Sequence, residues 1–153
     1  SDNEKAQFEV GDLYQLPERY KKAFDISICW KTLSWLPDFE DGLRALTEVT
    51  RSHIFVSSLF YEGDIDFEIK VREHKKERES ASFYNIYSLP RFERVARDLG
   101  AKNIRVTPFE IGIDLPRKDP DIMGTYTQVL KDGGRMQMSG AIPMPWKIIQ
   151  IDL

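Results

Sequence analysis

An acid just past the end of an apolar run is the first residue here that could do chemistry. Asp12 stands in "GDLYQLP", residues 11–17, directly behind the run Ala6–Val10. An ionised carboxylate only accepts hydrogen bonds. Asp12 therefore suits a ligand's N–H donor or, equally, the backbone N–H groups of the turn it opens. A second set closes "FDISICW": Cys29 and Trp30 end that run and Lys31 follows it. Ligands of open α/β sheets sit outside the carboxyl ends of strands, which places these three where one would be met. Lys31 would offer an ammonium to a carboxylate or stay solvated. Cys29 has no nearby base to activate its thiol and reads as a small core residue.

Other chemistry-bearing residues are less pointed. Glu62, Asp64, Asp66 and Glu68 alternate, but without the spacing or the glycine of a calcium loop, and a solvated face explains them as well. His53 and His74 lack cysteine or histidine neighbours at zinc-ligand spacing, so no metal site is expected. Trp35, Tyr84 and Tyr87 could line a pocket or pack in the core.

The elements that must position these residues alternate between short apolar runs and helical patterns. Ala6–Val10 reads as a strand, and Phe24–Trp30 as one buried on both faces. Asp38 is a candidate N-cap for a helix from about Phe39 to Arg51, ahead of a buried strand His53–Phe60. Residues 61–83 break the rhythm as a lid-like excursion, expected to be partly helical, with "REHKKERES" as a solvated helix face. Leu89, Phe92, Val95, Ala96 and Leu99 line one face of a helix that Gly100 ends. Asn103–Ile111 is a further strand. "KDGG" between Met123–Leu130 and Arg135–Ala141 signals a hairpin, and Trp146–Ile151 is a final strand. The order predicts an α/β fold, a Rossmann-like and mostly parallel sheet carrying a late antiparallel hairpin.

Composition narrows the partners. The 153 residues carry a net charge of −3, which argues against nucleic acid as a partner. No apolar run approaches the roughly 18–20 residues of a membrane span, so no membrane partner is expected. Cys29 is the single cysteine, which excludes an intrachain disulfide and makes a cytoplasmic location the default. One domain over residues 1–153 is expected, N-terminally incomplete, since "SDNEKAQ" reads as a loop cut in mid-sequence.

Three patches, in order, carry a resemblance: "FEVGDLYQLP"; "FDISICWKTLSWLPDFEDGLRALTEVTRSHIFVSS"; and "YNIYSLPRFERVARDLGAKNIRV" with the later "GTYTQVLKDGGRMQMSGAIPMPWKIIQ". Together they resemble the C-terminal two-thirds of a class I S-adenosylmethionine-dependent methyltransferase. The resemblance implies S-adenosylmethionine as cofactor and methyl transfer to an acceptor it does not identify. It gives Asp12 the adenine amine and Leu13 the neighbouring ring contact. Cys29, Trp30 and Lys31 would border the methionine end. Trp35, Tyr84 and Tyr87 would line the substrate pocket, under a lid made by the excursion. The family's glycine-rich loop has no counterpart, because no G-x-G-x-x-G occurs in the sequence. The alternative is a non-catalytic methyltransferase-like binding or assembly module. Its exposed sheet edge or face would favour a second copy of the chain as partner.

Overall fold

The computed structural model describes residues 6–74, 80–117, 119 and 123–153. In chain order they form α1 (Leu16–Arg19), β1 (Phe24–Trp30), α2 (Glu40–Val49), β2 (Thr50–Tyr61), β3 (Lys70–Glu73), β4 (Ser80–Phe83) and β5 (Tyr87–Ser88). Then come α3 (Leu89–Asp98), β6 (Asn103–Pro108), β7 (Thr125–Val129), β8 (Arg135–Ser139), β9 (Ile142–Pro143) and β10 (Trp146–Asp152). Single 3-10 turns, Leu13–Gln15 and Leu33–Trp35, precede α1 and α2. No described helix is long and apolar enough to cross a membrane.

The principal sheet runs β1-β2-β10-β6, with β5 added beside β2. β1 and β5 lie parallel to β2, but β10 is antiparallel to both β2 and β6. The sheet is therefore mixed rather than mostly parallel. Helix α2 supplies the crossover that returns β2 parallel to β1. The final strand instead inserts between β2 and β6, opposite in direction to both.

Register explains which residues form the core. Side chains alternate across a strand, so every second residue shares a face. Cys29, Val56 and Ile149 lie in one row of partners, as do Ile54, Ile151 and Ile104. These meet Phe39, Leu43 and Leu46 near and on α2 and Phe92 and Ala96 on α3, in one buried cluster. Ser88 caps α3 by accepting from the Arg91 N–H at 3.1 Å. The left-handed Gly100, φ 101°, lies just beyond the helix's end.

The opposite face corrects an expectation. β1 is not buried on both faces; it is an edge strand whose Ile26 and Ile28 are 54% and 68% exposed. Periodicity reports apolar residues, not whether a layer covers them. Ala6–Val10 forms no strand either, and Phe8 and Val10 stand in solvent. No described strand pairs with it, and five residues without ladder partners do not hold a strand.

The excursion is also not helical where it is described. β3 and β4 make an antiparallel ribbon, and Phe67 bridges Ile86 beside it. Lys75–Glu79 of the expected charged helix lie outside the described residues. The "KDGG" hairpin forms as β7 and β8, with Gly133 at φ 83° in the turn, a conformation that favours glycine. It does not extend the principal sheet: with β9 it makes a separate three-stranded sheet. β6 ends at Pro108, short of the expected Ile111.

A second buried cluster, Leu59, Tyr84, Ile86, Met144 and Trp146, fills the space between these additions and the principal sheet. It covers the carboxyl end of the face that α2 and α3 do not reach.

Candidate functional site

Asp12 opens the Leu13–Gln15 turn. One carboxylate oxygen accepts the Tyr14 N–H at 2.9 Å, and the residue is exposed. The turn and the ligand are not rivals, since a carboxylate has two oxygens and about four acceptor positions. Leu13 turns inward beside the Leu33–Trp35 turn. A Cβ placed on Gly42 would come within 3.0 Å of Leu36, 3.3 Å of Leu13 and 3.4 Å of Leu33. That close approach packs Leu13 of the "GD" turn against the Leu33–Trp35 turn that follows β1.

Those three residues divide between the two faces. Cys29 is buried in the helix-covered core, and burial pushes its thiol up from the ordinary value. A raised thiol is a poor nucleophile at neutral pH. Trp30 turns to the other face, half exposed, with its ring edge-on to Phe109 at 6.5 Å. Lys31 takes a left-handed backbone, φ 55°, while its N–H donates to the Ser57 carbonyl at 2.8 Å. Its Nζ rests 4.7 Å over the Trp146 ring. Non-glycine residues pay steric strain in this region, and such outliers gather at binding and active sites.

Trp35 and Tyr84 come together, T-shaped at 5.0 Å. Trp35 is half exposed, and Tyr84 belongs to the second cluster with Trp146. Tyr87 is elsewhere. It lies in the core, and its hydroxyl donates to the Leu36 carbonyl at 2.9 Å and lies 3.1 Å from that of Leu33. Burial pushes its phenol up to about 12. With Asn85, whose Nδ2 donates to the Leu36 carbonyl at 3.0 Å, it fixes the turn on which Trp35 stands. Ser34 adds a contact to Ser58 at 2.6 Å.

Three of the alternating acids serve as straps. Asp66 accepts from Arg91 at 2.6 Å and from the Ser88 N–H at 2.6 Å; Asp64 accepts from Arg94 at 2.8 Å. Glu62 pairs with Lys147 at 2.8 Å. The Arg94 guanidinium, aided by Ser88, holds the Asp64 carboxyl below its usual range. Arg91 also reaches Asp38 at 2.8 Å and Glu40 at 2.6 Å, over the face of Phe39. One guanidinium thus joins the entry to α2, the start of α3 and the base of the excursion. Among the described residues no group of three or more His, Cys, Asp or Glu is arranged to hold a metal ion.

Sequence reasoning missed a groove on the far side of Phe109, which Trp30 does not line. Phe109, Met136, Met144 and Trp146 line an open groove of about 610 Å³ between the principal sheet and the β7–β9 sheet. The two prolines and tryptophan of "PMPWK" mark where the chain turns from β9 into β10, but nothing in their spacing announces a groove.

No family model and no curated protein matches the chain. Among solved structures it is similar to a SAM-dependent methyltransferase of Thermotoga maritima, described as a possible histamine N-methyltransferase. Identity is 12% and the TM-score 0.48, over 93% of this chain and 61% of the other. The chain thus spans less than two-thirds of that protein's length. The similarity is one of fold, and a distant one.

Proposed function

We propose that this chain forms part of an S-adenosylmethionine-dependent methyltransferase and contributes one side of its cofactor site. One observation carries the reading: Leu13 of the "GD" turn meets Leu33 and Leu36, which follow "FDISICW", around Gly42 on α2. Leu13 is one of the residues the sequence resemblance gives to the cofactor, and Leu33 and Leu36 lie just beyond Cys29, Trp30 and Lys31, the others it assigns.

The residues present fit such a ligand in part. Asp12 keeps an exposed carboxylate oxygen beyond its turn, suited to the adenine amine, with Leu13 behind it. Trp30 and Lys31 stand at the carboxyl end of β1, Lys31 with an ammonium suited to a carboxylate. When bound, the cofactor supplies an electrophilic methyl group on a sulfonium. The protein's part is then to orient the acceptor and exclude water, for which Trp30, Trp35 and Tyr84 provide apolar surface.

Calorimetry with S-adenosylhomocysteine on the full-length protein tests this. Asp12→Ala is expected to weaken binding about tenfold, the scale of one hydrogen bond to a charged group. Undiminished affinity in the variant would remove Asp12 from the site. Absence of binding in the unaltered protein would overturn the methyltransferase reading.

A second reading, a non-catalytic assembly module, is favoured by the uncovered face of β1. Ile26, Ile28 and Trp30 line a free sheet edge, which suits association with a second copy. Sedimentation of the unaltered protein as a monomer at all concentrations would remove it.

A further inference from the structure

The free edge of β1 carries a pattern that matches itself when reversed. Along "FDISICW" the residues facing the open side of the sheet are Phe24, Ile26, Ile28 and Trp30, which are 42%, 54%, 68% and 49% exposed. Outward from Ser27, an isoleucine lies on either side and an aromatic residue at either end. A two-fold axis through Ser27, normal to the sheet, therefore sets Ile26 against the Ile28 of a second copy and Phe24 against its Trp30. Among the described residues no strand pairs with this edge.

The backbone agrees with that register. Lys31 donates its N–H to the Ser57 carbonyl on β2 at 2.8 Å. Backbone groups alternate in direction along a strand, so the N–H and C=O of Phe24, Ile26, Ile28 and Trp30 point to the free edge. In an antiparallel ladder two such residues stand opposite and exchange both hydrogen bonds. The two-fold through Ser27 pairs this outward set with itself. Moving the pairing by one residue sets outward groups against inward ones. Moving it by two restores the bonds but puts Trp30 against the partner's Lys22, or Phe24 against the partner's Thr32.

The strand lacks the usual guards. Native edges are blunted by lysines, prolines or bulges. The charged residue of β1, Asp25, is paired with Arg51 at 2.8 Å. The ladder's irregularity between Phe24 and Ile26 places its extra residue on β2, within Thr50–His53. The flanking lysines turn elsewhere. Lys22 donates to the Thr47 and Thr50 carbonyls at 3.0 and 2.8 Å, and Lys31 rests on the Trp146 ring.

We infer that two copies of this chain join through β1, antiparallel about Ser27, so that the order β6-β10-β2-β1 continues into the partner's β1-β2-β10-β6. The axis keeps both open faces on one side, and the isoleucines form a continuous strip closed at each end by a Phe24–Trp30 pair. The inference rests on the assembly reading and gives that reading its surface and its register.

Sedimentation velocity of the full-length protein over a range of concentrations tests it, with Ile26→Lys and Ile28→Glu run singly and mixed. The unaltered protein is expected to dimerise. Each variant alone is expected to weaken association about a hundredfold, because an unpaired charge meets isoleucine at two symmetry-related places. The equimolar mixture is expected to restore the dimer, since the introduced ammonium then faces the introduced carboxylate and the remaining isoleucines face each other. Restoration also shows that both variants are folded. A mixture that restores nothing overturns the register. Variants that dimerise as well as the unaltered protein overturn the edge as the contact and leave assembly to another surface. A protein monomeric at all concentrations removes the inference and the assembly reading together.

Discussion

Tyr87 shows how a residue singled out for a pocket can serve the pocket from behind. Its buried hydroxyl holds the carbonyls of the turn that presents Trp35. Burial pushes its phenol up to about 12 from 10.0. A raised acid binds its proton longer in the folded state than in the unfolded one. Its contribution to stability is complete below about pH 10 and is lost as pH rises through about 12. Urea unfolding followed by circular dichroism is expected to show stability falling between about pH 10 and about pH 12, with a shallower fall in Tyr87→Phe. Equal slopes would mean that other groups carry the alkaline loss. At this scale the sequence was legible where chemistry and position agreed. Asp12 in "GDLYQLP" is both a turn-former and an exposed acceptor. Tyr87 was not legible, because a tyrosine's neighbours at long range decide whether its hydroxyl meets solvent or a carbonyl. Phe109 and Trp146 were missed for the same reason.

Arg91 is the side chain on which three elements depend. Its partners Asp38, Glu40 and Asp66 come from two distant segments, and a quarter of the side chain remains exposed. Arg91→Met is expected to cost about 1–3 kcal/mol, between exposed and buried ion pairs, because three carboxylates lose their counter-charge. Urea denaturation at neutral pH measures it. Phe92, on the inner face of α3, packs at 5.1 Å from Phe39 and 4.9 Å from Phe60. Phe92→Ala is expected to cost about 3–5 kcal/mol, a large share of the stability of a domain this size. Both helices were legible because an apolar stripe at helical spacing needs only one covered face. α3 spans Leu89–Asp98 against the expected Leu89–Leu99. The excursion was not legible. Charged residues in "REHKKERES" suit a solvated helix and a solvated ribbon equally, and three of the ribbon's four cross-strand pairs involve a residue outside that run.

For the molecule as a whole, the sheet is covered on one face and largely open on the other. Ile28, 68% exposed at the edge strand, lies in one row with Phe55 and Gln150. Such a patch is expected to bind the hydrophobic dye ANS and to promote association. Ile28→Lys is expected to lower both, read by dye fluorescence and by sedimentation velocity; unchanged values would show the face already covered. The mixture of strand directions was the hardest feature to foresee. A run such as "WKIIQI" carries no mark of whether it will lie parallel or antiparallel, or which two strands it will separate. Its place has a consequence for synthesis. His53 faces Asp152 across the ladder, and Asp152 in turn faces Asn103. While the chain is still being made, β2 and β6 have no common neighbour. A nascent chain stopped before residue 146 leaves both with apolar edges open, and only translation of β10 joins the halves. Ribosome-stalled chains are therefore expected to resist protease only once those residues have left the exit tunnel, a late and abrupt step in keeping with slow closure of long-range strand pairs.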